Sequence, residues 1–107
     1  MSKLLNIEES FEKEVLSQKG LFLVDFWAPW CRYCILLEPT LEALANKLEG
    51  KGLKVIKVNV DETPAIAQQY GVMSLPTLML FKDGKELDVE IFEREEDELE
   101  KAISKYF

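Results

Sequence analysis

An α/β fold, with a central mixed sheet of five strands flanked by four helices, is predicted by three features of this 107-residue sequence. Apolar runs of strand length alternate with segments of helical periodicity. One run, Leu21 to Trp27, is apolar almost throughout, and the chain closes on a hairpin pattern followed by an amphipathic helix.

The elements follow in order. Leu4 to Ile7 is a short apolar strand, and Phe11 and Val15 share one face of a helix near Ser10 to Ser17 that Lys19-Gly20 ends. Leu21 to Trp27 (LFLVDFW) suits a strand covered on both faces in the middle of a sheet, and is the candidate central strand. After Ala28-Pro29, Leu37, Leu41, Leu44, Ala45 and Leu48 recur at helical spacing, which places Cys31 and Cys34 in the first turn of a long helix. Pro39 lies inside that helix and should kink it. Leu53 to Val60 is the next strand, and a strand, helix, strand unit implies a right-handed crossover with parallel pairing. Pro64 to Tyr70 is a short helix ended by Gly71. Thr77 to Phe81 and Glu86 to Phe92 flank the turn Lys82-Asp83-Gly84-Lys85 as an antiparallel hairpin. Leu99, Ala102, Ile103 and Tyr106 line one face of a last helix from about Glu95.

Repeats, low-complexity stretches and Pro/Gly/Ser linkers do not interrupt this pattern, so residues 1–107 read as one domain. A chain of this length buries roughly two-thirds of its unfolded surface and needs no covalent staple. Its 48% hydrophobic and 31% charged residues describe an ordered globular protein. A net charge of -7 opposes binding to a phosphate backbone, because nucleic-acid affinity comes from clustered Lys and Arg. The first residues turn acidic before any apolar run reaches signal-peptide length, and nothing later approaches a membrane span. A cytoplasmic protein, acting as a monomer, is expected.

The two cysteines are three positions apart, so a bridge between them closes almost no loop and stabilises little. A zinc site would need carboxylates to complete its ligands, since the chain has no His, and redox chemistry is the stronger reading. Cysteines at i and i+3 share a helix face, close enough to join and to separate on reduction. Cys31 is nearer the helix N-terminus, where unpaired N–H groups favour an anion, and is the candidate nucleophile. Cys34, one turn inside, suits the second step, attack on a mixed disulfide.

Asp25 stands out because an ionised carboxylate inside an apolar strand is expensive, and Lys57 is its mirror image in the neighbouring strand. The two are expected to lie near each other and offset each other's desolvation, the alternative being that either reaches solvent at a strand end. Beneath the cysteines, Asp25 would serve as general base for Cys34.

The stretch Val24-Asp25-Phe26-Trp27-Ala28-Pro29-Trp30-Cys31-Arg32-Tyr33-Cys34, with Pro39, Lys57-Val58-Asn59-Val60-Asp61, Tyr70-Gly71-Val72, Leu75-Pro76-Thr77 and Phe81-Lys82-Asp83-Gly84, closely resembles the thioredoxins. The resemblance runs over nearly the whole chain and implies the thioredoxin fold. It also implies reduction of protein disulfides, no bound cofactor beyond a redox-active Cys31–Cys34 disulfide, and recycling by a separate thioredoxin reductase. By the same resemblance Pro76 is in cis beside the disulfide, and Trp30, Ser74, Leu75 and Pro76 line a shallow substrate surface on which Leu75 offers backbone hydrogen bonds. Trp27 is expected to pack beneath it.

Three departures mark this chain. Arg32 and Tyr33 stand where the family usually has Gly-Pro, and Arg32 should stabilise the Cys31 thiolate and make the couple more oxidising. Phe92 stands where the family alignment suggests a groove-opening glycine, and should alter partner selection. Two further readings compete with a reductant: a more oxidising thiol oxidase or isomerase, suggested by Arg32, and a binding module without redox chemistry, including two chains bridged by an iron-sulfur cluster.

Overall fold

A computed structural model describes residues 4–7 and 11–107. Among them, strands β1 (Leu4–Ile7), β2 (Leu21–Trp27), β3 (Lys54–Asn59), β4 (Thr77–Lys82) and β5 (Lys85–Ile91) are hydrogen-bonded in the order β1-β3-β2-β4-β5. The run β3-β2-β4-β5 makes up the mixed sheet, and the four-residue β1 adds in parallel to the outer edge of β3. β2 pairs in parallel with β3 and antiparallel with β4. Its position between them is why it carries apolar residues at nearly every place, since both of its faces are covered.

Three α-helices occur among the described residues: α1 (Arg32–Leu48), α2 (Pro64–Gln69) and α3 (Glu96–Ser104). The fourth expected helix, near Ser10 to Ser17, is corrected to a π-helical segment over Glu12–Leu16, and Ser10 lies outside the described residues. A helix this short has little stability of its own, so tertiary packing decides its winding. Here Phe11 and Val15 are both buried in the same apolar cluster. α1 runs unbroken through Pro39, whose missing N–H leaves the Ile35 carbonyl without its intrahelical donor. The acidic first turn of α3, Glu96, Asp97 and Glu98, complements the positive end of the helix dipole. No helix of the described residues is long and apolar enough to cross a membrane.

Alternation along the strands divides the core into two layers. Leu21 and Leu23 of β2, Val55 of β3, and Leu78 and Leu80 of β4 pack with Leu37, Leu41, Leu44 and Leu48 of α1 and with Leu99 and Ile103 of α3. On the opposite face Phe22, Val24, Phe26, Ile56, Val58, Met79 and Phe81 meet Phe11, Val15 and the half-buried Ile66 and Tyr70. Each fully buried side chain of this size contributes roughly 1.5–3 kcal/mol. Asp25 and Lys57 have the parity of the first layer, so both point to the α1 side of the sheet.

The hairpin closes on two residues, Asp83 and Gly84, both at positive φ (52° and 84°), as the strand twist of a tight turn requires. Asp83 also ties this turn to the start of β2, its N–H donating to the Gly20 carbonyl at 2.9 Å and its Oδ1 accepting from the Gly20 N–H at 2.8 Å. A Cβ on Gly84 would lie well inside contact distance of the Leu16 carbonyl. Gly84→Ala therefore combines a disfavoured backbone conformation with a backbone clash. It is expected to cost about 2 kcal/mol or more in urea unfolding, and a loss below about 0.5 kcal/mol would show that the segment before β2 yields freely.

Candidate active site

The topology brings three segments together at one end of the sheet. β2 ends at Trp27 and leads into the loop Ala28 to Cys31, while β4 runs the other way, its first residue Thr77 opposite Phe26. The Leu75-Pro76 bond just before β4 is therefore delivered beside the end of β2. That bond is cis, as the family resemblance implies. The end of β3 joins them through the Val60 N–H, which donates to the Trp27 carbonyl at 2.9 Å. Sites in open α/β sheets form beyond the carboxyl ends of parallel strands, and β2 and β3 end here.

Cys31 and Cys34 are joined in a disulfide with Cα atoms 5.3 Å apart. Cys31 is the N-cap of α1, with extended backbone, one residue before the helical turn expected for it. This places its sulfur where the free backbone donors are: the Cys34 N–H donates to Cys31 Sγ at 3.2 Å. A sulfur at an N-cap is the acceptor for otherwise unpaired N–H groups, an arrangement that stabilises a thiolate when the bridge is reduced. Cys31 retains 7% exposure against 2% for Cys34, so Cys31 is the one an incoming disulfide reaches more readily.

Trp30, Cys31, Ser74 and Leu75 line a shallow pocket of about 290 Å³, together with Val60, Ala67, Val72 and Met73. The Trp30 indole is 70% exposed, yet held at its polar edge by Nε1 donating to Asp61 Oδ2 at 3.0 Å. Pro76, joined to Leu75 by the cis bond, is not among the residues lining this pocket. Trp27 is half-buried against the disulfide cluster. Tyr33 turns away from this pocket and lines a second groove with Leu36, Leu37, Thr40, Arg94 and Glu95. Arg32, the first residue of α1, is exposed. Phe92 follows β5 with its ring 70% exposed and does not line the first pocket.

Asp25 and Lys57 are cross-strand neighbours and both are buried, which excludes the alternative that either reaches solvent at a strand end. They lie near each other as expected, and the Lys57 charge pulls the Asp25 midpoint down, but no hydrogen bond joins the two side chains. Lys57 Nζ lies 3.8 Å from the Trp27 ring centroid and donates to Glu38 Oε2 at 3.1 Å. No described residue donates to either Asp25 oxygen. The reason is desolvation: the Glu38 side chain is 39% exposed and keeps its charge at low cost, whereas ionising Asp25 strips a carboxylate of water. Burial pushes Asp25 up from 3.8 to about 7, against the opposing pull of Lys57 and Arg94, with Glu38 adding to the rise.

Three residues at this end of the sheet were not expected from the sequence. Glu38 follows Cys34 at i+4, so a helical wheel would have placed it above the same region of the sheet. Arg94 lies in a loop and donates to the carbonyls of Ile91, Glu93 and Pro76. Met73, 96% exposed at the pocket edge, carries no local signal. Among the described residues, no group of three or more His, Cys, Asp or Glu is arranged to hold a metal ion.

The sequence model of the Thioredoxin family matches residues 3–105. Thioredoxin 1 of Nostoc sp. is 49% identical over 82 residues, covering 77% of this chain and 76% of that protein. Thioredoxin of Porphyra purpurea is 42% identical over 99 residues, 92% of each chain. Among solved structures, a mutant thioredoxin from Halobacterium salinarum NRC-1 superposes with a TM-score of 0.83 at 38% identity, covering 96% of this chain and 89% of that one.

Proposed function

Since this chain belongs to the thioredoxin family and is a thiol-disulfide oxidoreductase that reduces protein disulfides, we propose that Cys31 makes the attack and Cys34 the release, with Asp25 taking the proton between them. The observation that carries this reading is the N-cap position of Cys31, its sulfur already accepting from the helix N–H at the edge of an apolar pocket.

In the forward direction the Cys31 thiolate attacks one sulfur of a substrate disulfide, and the other sulfur leaves as a thiolate. The Cys34 thiol then gives its proton to the Asp25 carboxylate and attacks Cys31 Sγ. The Cys31–substrate bond breaks, the substrate's second sulfur leaves as a thiolate, and the Cys31–Cys34 disulfide forms. Two electrons pass to the substrate. An acceptor with its midpoint near neutrality is well matched to this transfer.

Trp30, Ser74, Leu75 and Pro76 form the docking surface for an extended stretch of a disulfide-containing protein, Leu75 offering backbone groups and Trp30 a largely exposed ring. Phe92 extends the apolar surface outside the pocket and biases the choice of partner. The chain lacks a flavin or nicotinamide fingerprint, so a separate thioredoxin reductase returns the electrons, in the reducing cytoplasm where such a donor works.

Insulin reduction against thiol oxidation in matched redox buffers tests the direction of flow, and a chain that oxidises dithiols faster than it reduces insulin would overturn the reductant reading. Arg32 sets the poise within it. Removing a charge beside Cys31 is worth about 1 kcal/mol or less at an exposed helix start, so Arg32→Gln is expected to lower the potential of the pair by roughly 20 mV. A redox titration with glutathione reads this shift, and an unchanged or raised potential would remove Arg32 from the tuning of the couple.

A further inference from the structure

The buried ionisable groups at this end of the sheet are matched in an unexpected way. Lys57 and Asp25 are cross-strand neighbours on the same face, an arrangement in which opposite charges on adjacent strands ordinarily meet. Instead the Lys57 ammonium lies along the Trp27 ring and ends on Glu38, one helical turn beyond Cys34. Among the described residues, neither Asp25 oxygen receives a donor. The other charges acting on Asp25 do not fill the gap. Arg94, from the segment after β5, is committed to backbone carbonyls, and the residue opposite Asp25 on β4 is the apolar Leu78.

We propose that Glu38 is a positioning residue for the exchange reaction: its half-exposed carboxylate holds the Lys57 ammonium and keeps it off Asp25, so that the buried carboxyl stays free of a direct cation and remains available to take the Cys34 proton. This rests on the reading of Asp25 as the proton acceptor. The physical logic is competition between two carboxylates for one ammonium. A Lys57–Asp25 pair would favour the ionised acid and make it a poorer base, whereas a Lys57–Glu38 pair satisfies the ammonium at a site water also reaches. Glu38 thereby acts through Lys57 rather than on the reacting atoms.

The test is a double-mutant cycle on the full chain, with Asp25 followed by carboxyl carbon NMR across pH and the release step followed from a preformed mixed disulfide. Glu38→Gln frees Lys57 for Asp25 and is expected to lower the Asp25 midpoint by about one unit, a ten-fold change in proton affinity. In a Lys57→Met background the same Glu38→Gln change is expected to shift the midpoint by less than about a third of that, because the intermediary is gone. Glu98→Gln on α3 controls for net charge. An equal shift in both backgrounds would mean that Glu38 acts only as a nearby charge and would overturn the proposal, as would no shift in either. If the midpoint moves as expected but the pH profile of the release step does not move with it, Asp25 is not the acceptor, while the hold of Glu38 on Lys57 stands.

Discussion

Cys34→Ser is expected to accumulate a covalent complex with a protein disulfide, and Cys31→Ser to form none. On the proposed roles, the first variant keeps the attacking N-cap sulfur but loses the thiol that would displace the substrate, so the reaction stops at the mixed disulfide. The second removes the attacking atom, and a serine hydroxyl does not exchange with disulfides, so turnover is expected to fall by about 10³-fold or more. Non-reducing gels and intact mass after mixing each reduced variant with a protein disulfide distinguish them. A stable complex with Cys31→Ser and none with Cys34→Ser would reverse the two roles. The expected order follows the difference in burial, Cys31 at the N-cap being 7% exposed and Cys34 within the first turn 2%.

Asp25→Ala is expected to stabilise the oxidised chain, and by more at high pH than at low. Burial raises the Asp25 midpoint from 3.8 to about 7, so the folded chain holds this proton more tightly than the unfolded one. Stability from the protonated form is fully present below pH 4 and is lost as pH rises through about 7. Above that, the folded state carries a buried ionised carboxylate to which no described residue donates, at a cost of roughly 4 kcal/mol for a shift of this size. The gain from Asp25→Ala at pH 8 is therefore expected to exceed the gain at pH 4 by roughly 3–4 kcal/mol, read from urea unfolding at the two pH values. Equal gains would mean that the carboxyl titrates normally in the folded chain. A costly group kept at the centre of the sheet is consistent with a role in proton transfer, because a hydrophobic residue there would serve stability better.

Much of this was legible in the chain itself, and for identifiable reasons. Leu21 to Trp27 is apolar on both faces, and only a central strand covered on both sides needs that composition. The spacing of Leu37, Leu41, Leu44 and Leu48 locates α1 and which of its sides is buried. The two cysteines at i and i+3 state their chemistry through spacing alone, and Asp83-Gly84 announces a tight hairpin because both residues accept positive φ. The segment near Phe11 and Val15 was less legible. Its apolar spacing identifies the buried face, but a single turn has too little intrinsic preference to settle whether it winds as an α- or a π-helix.

The segment from Trp30 to Cys34 shows where the division falls. Its residue types and order determine that this chain exchanges thiols and disulfides. That Cys31 caps the helix rather than sitting within it, that Tyr33 turns to a separate groove, and that Phe92 stays outside the pocket are outcomes of how strands distant in sequence close around the loop. The choice of Lys57 between two carboxylates belongs to the same class. Sequence establishes that Asp25 and Lys57 lie in neighbouring apolar strands, and nearness follows from that alone. Only the packed structure supplies a third group, Glu38, at a place where water lowers the cost of its charge, and the desolvation difference between the two sites decides which carboxylate the ammonium meets.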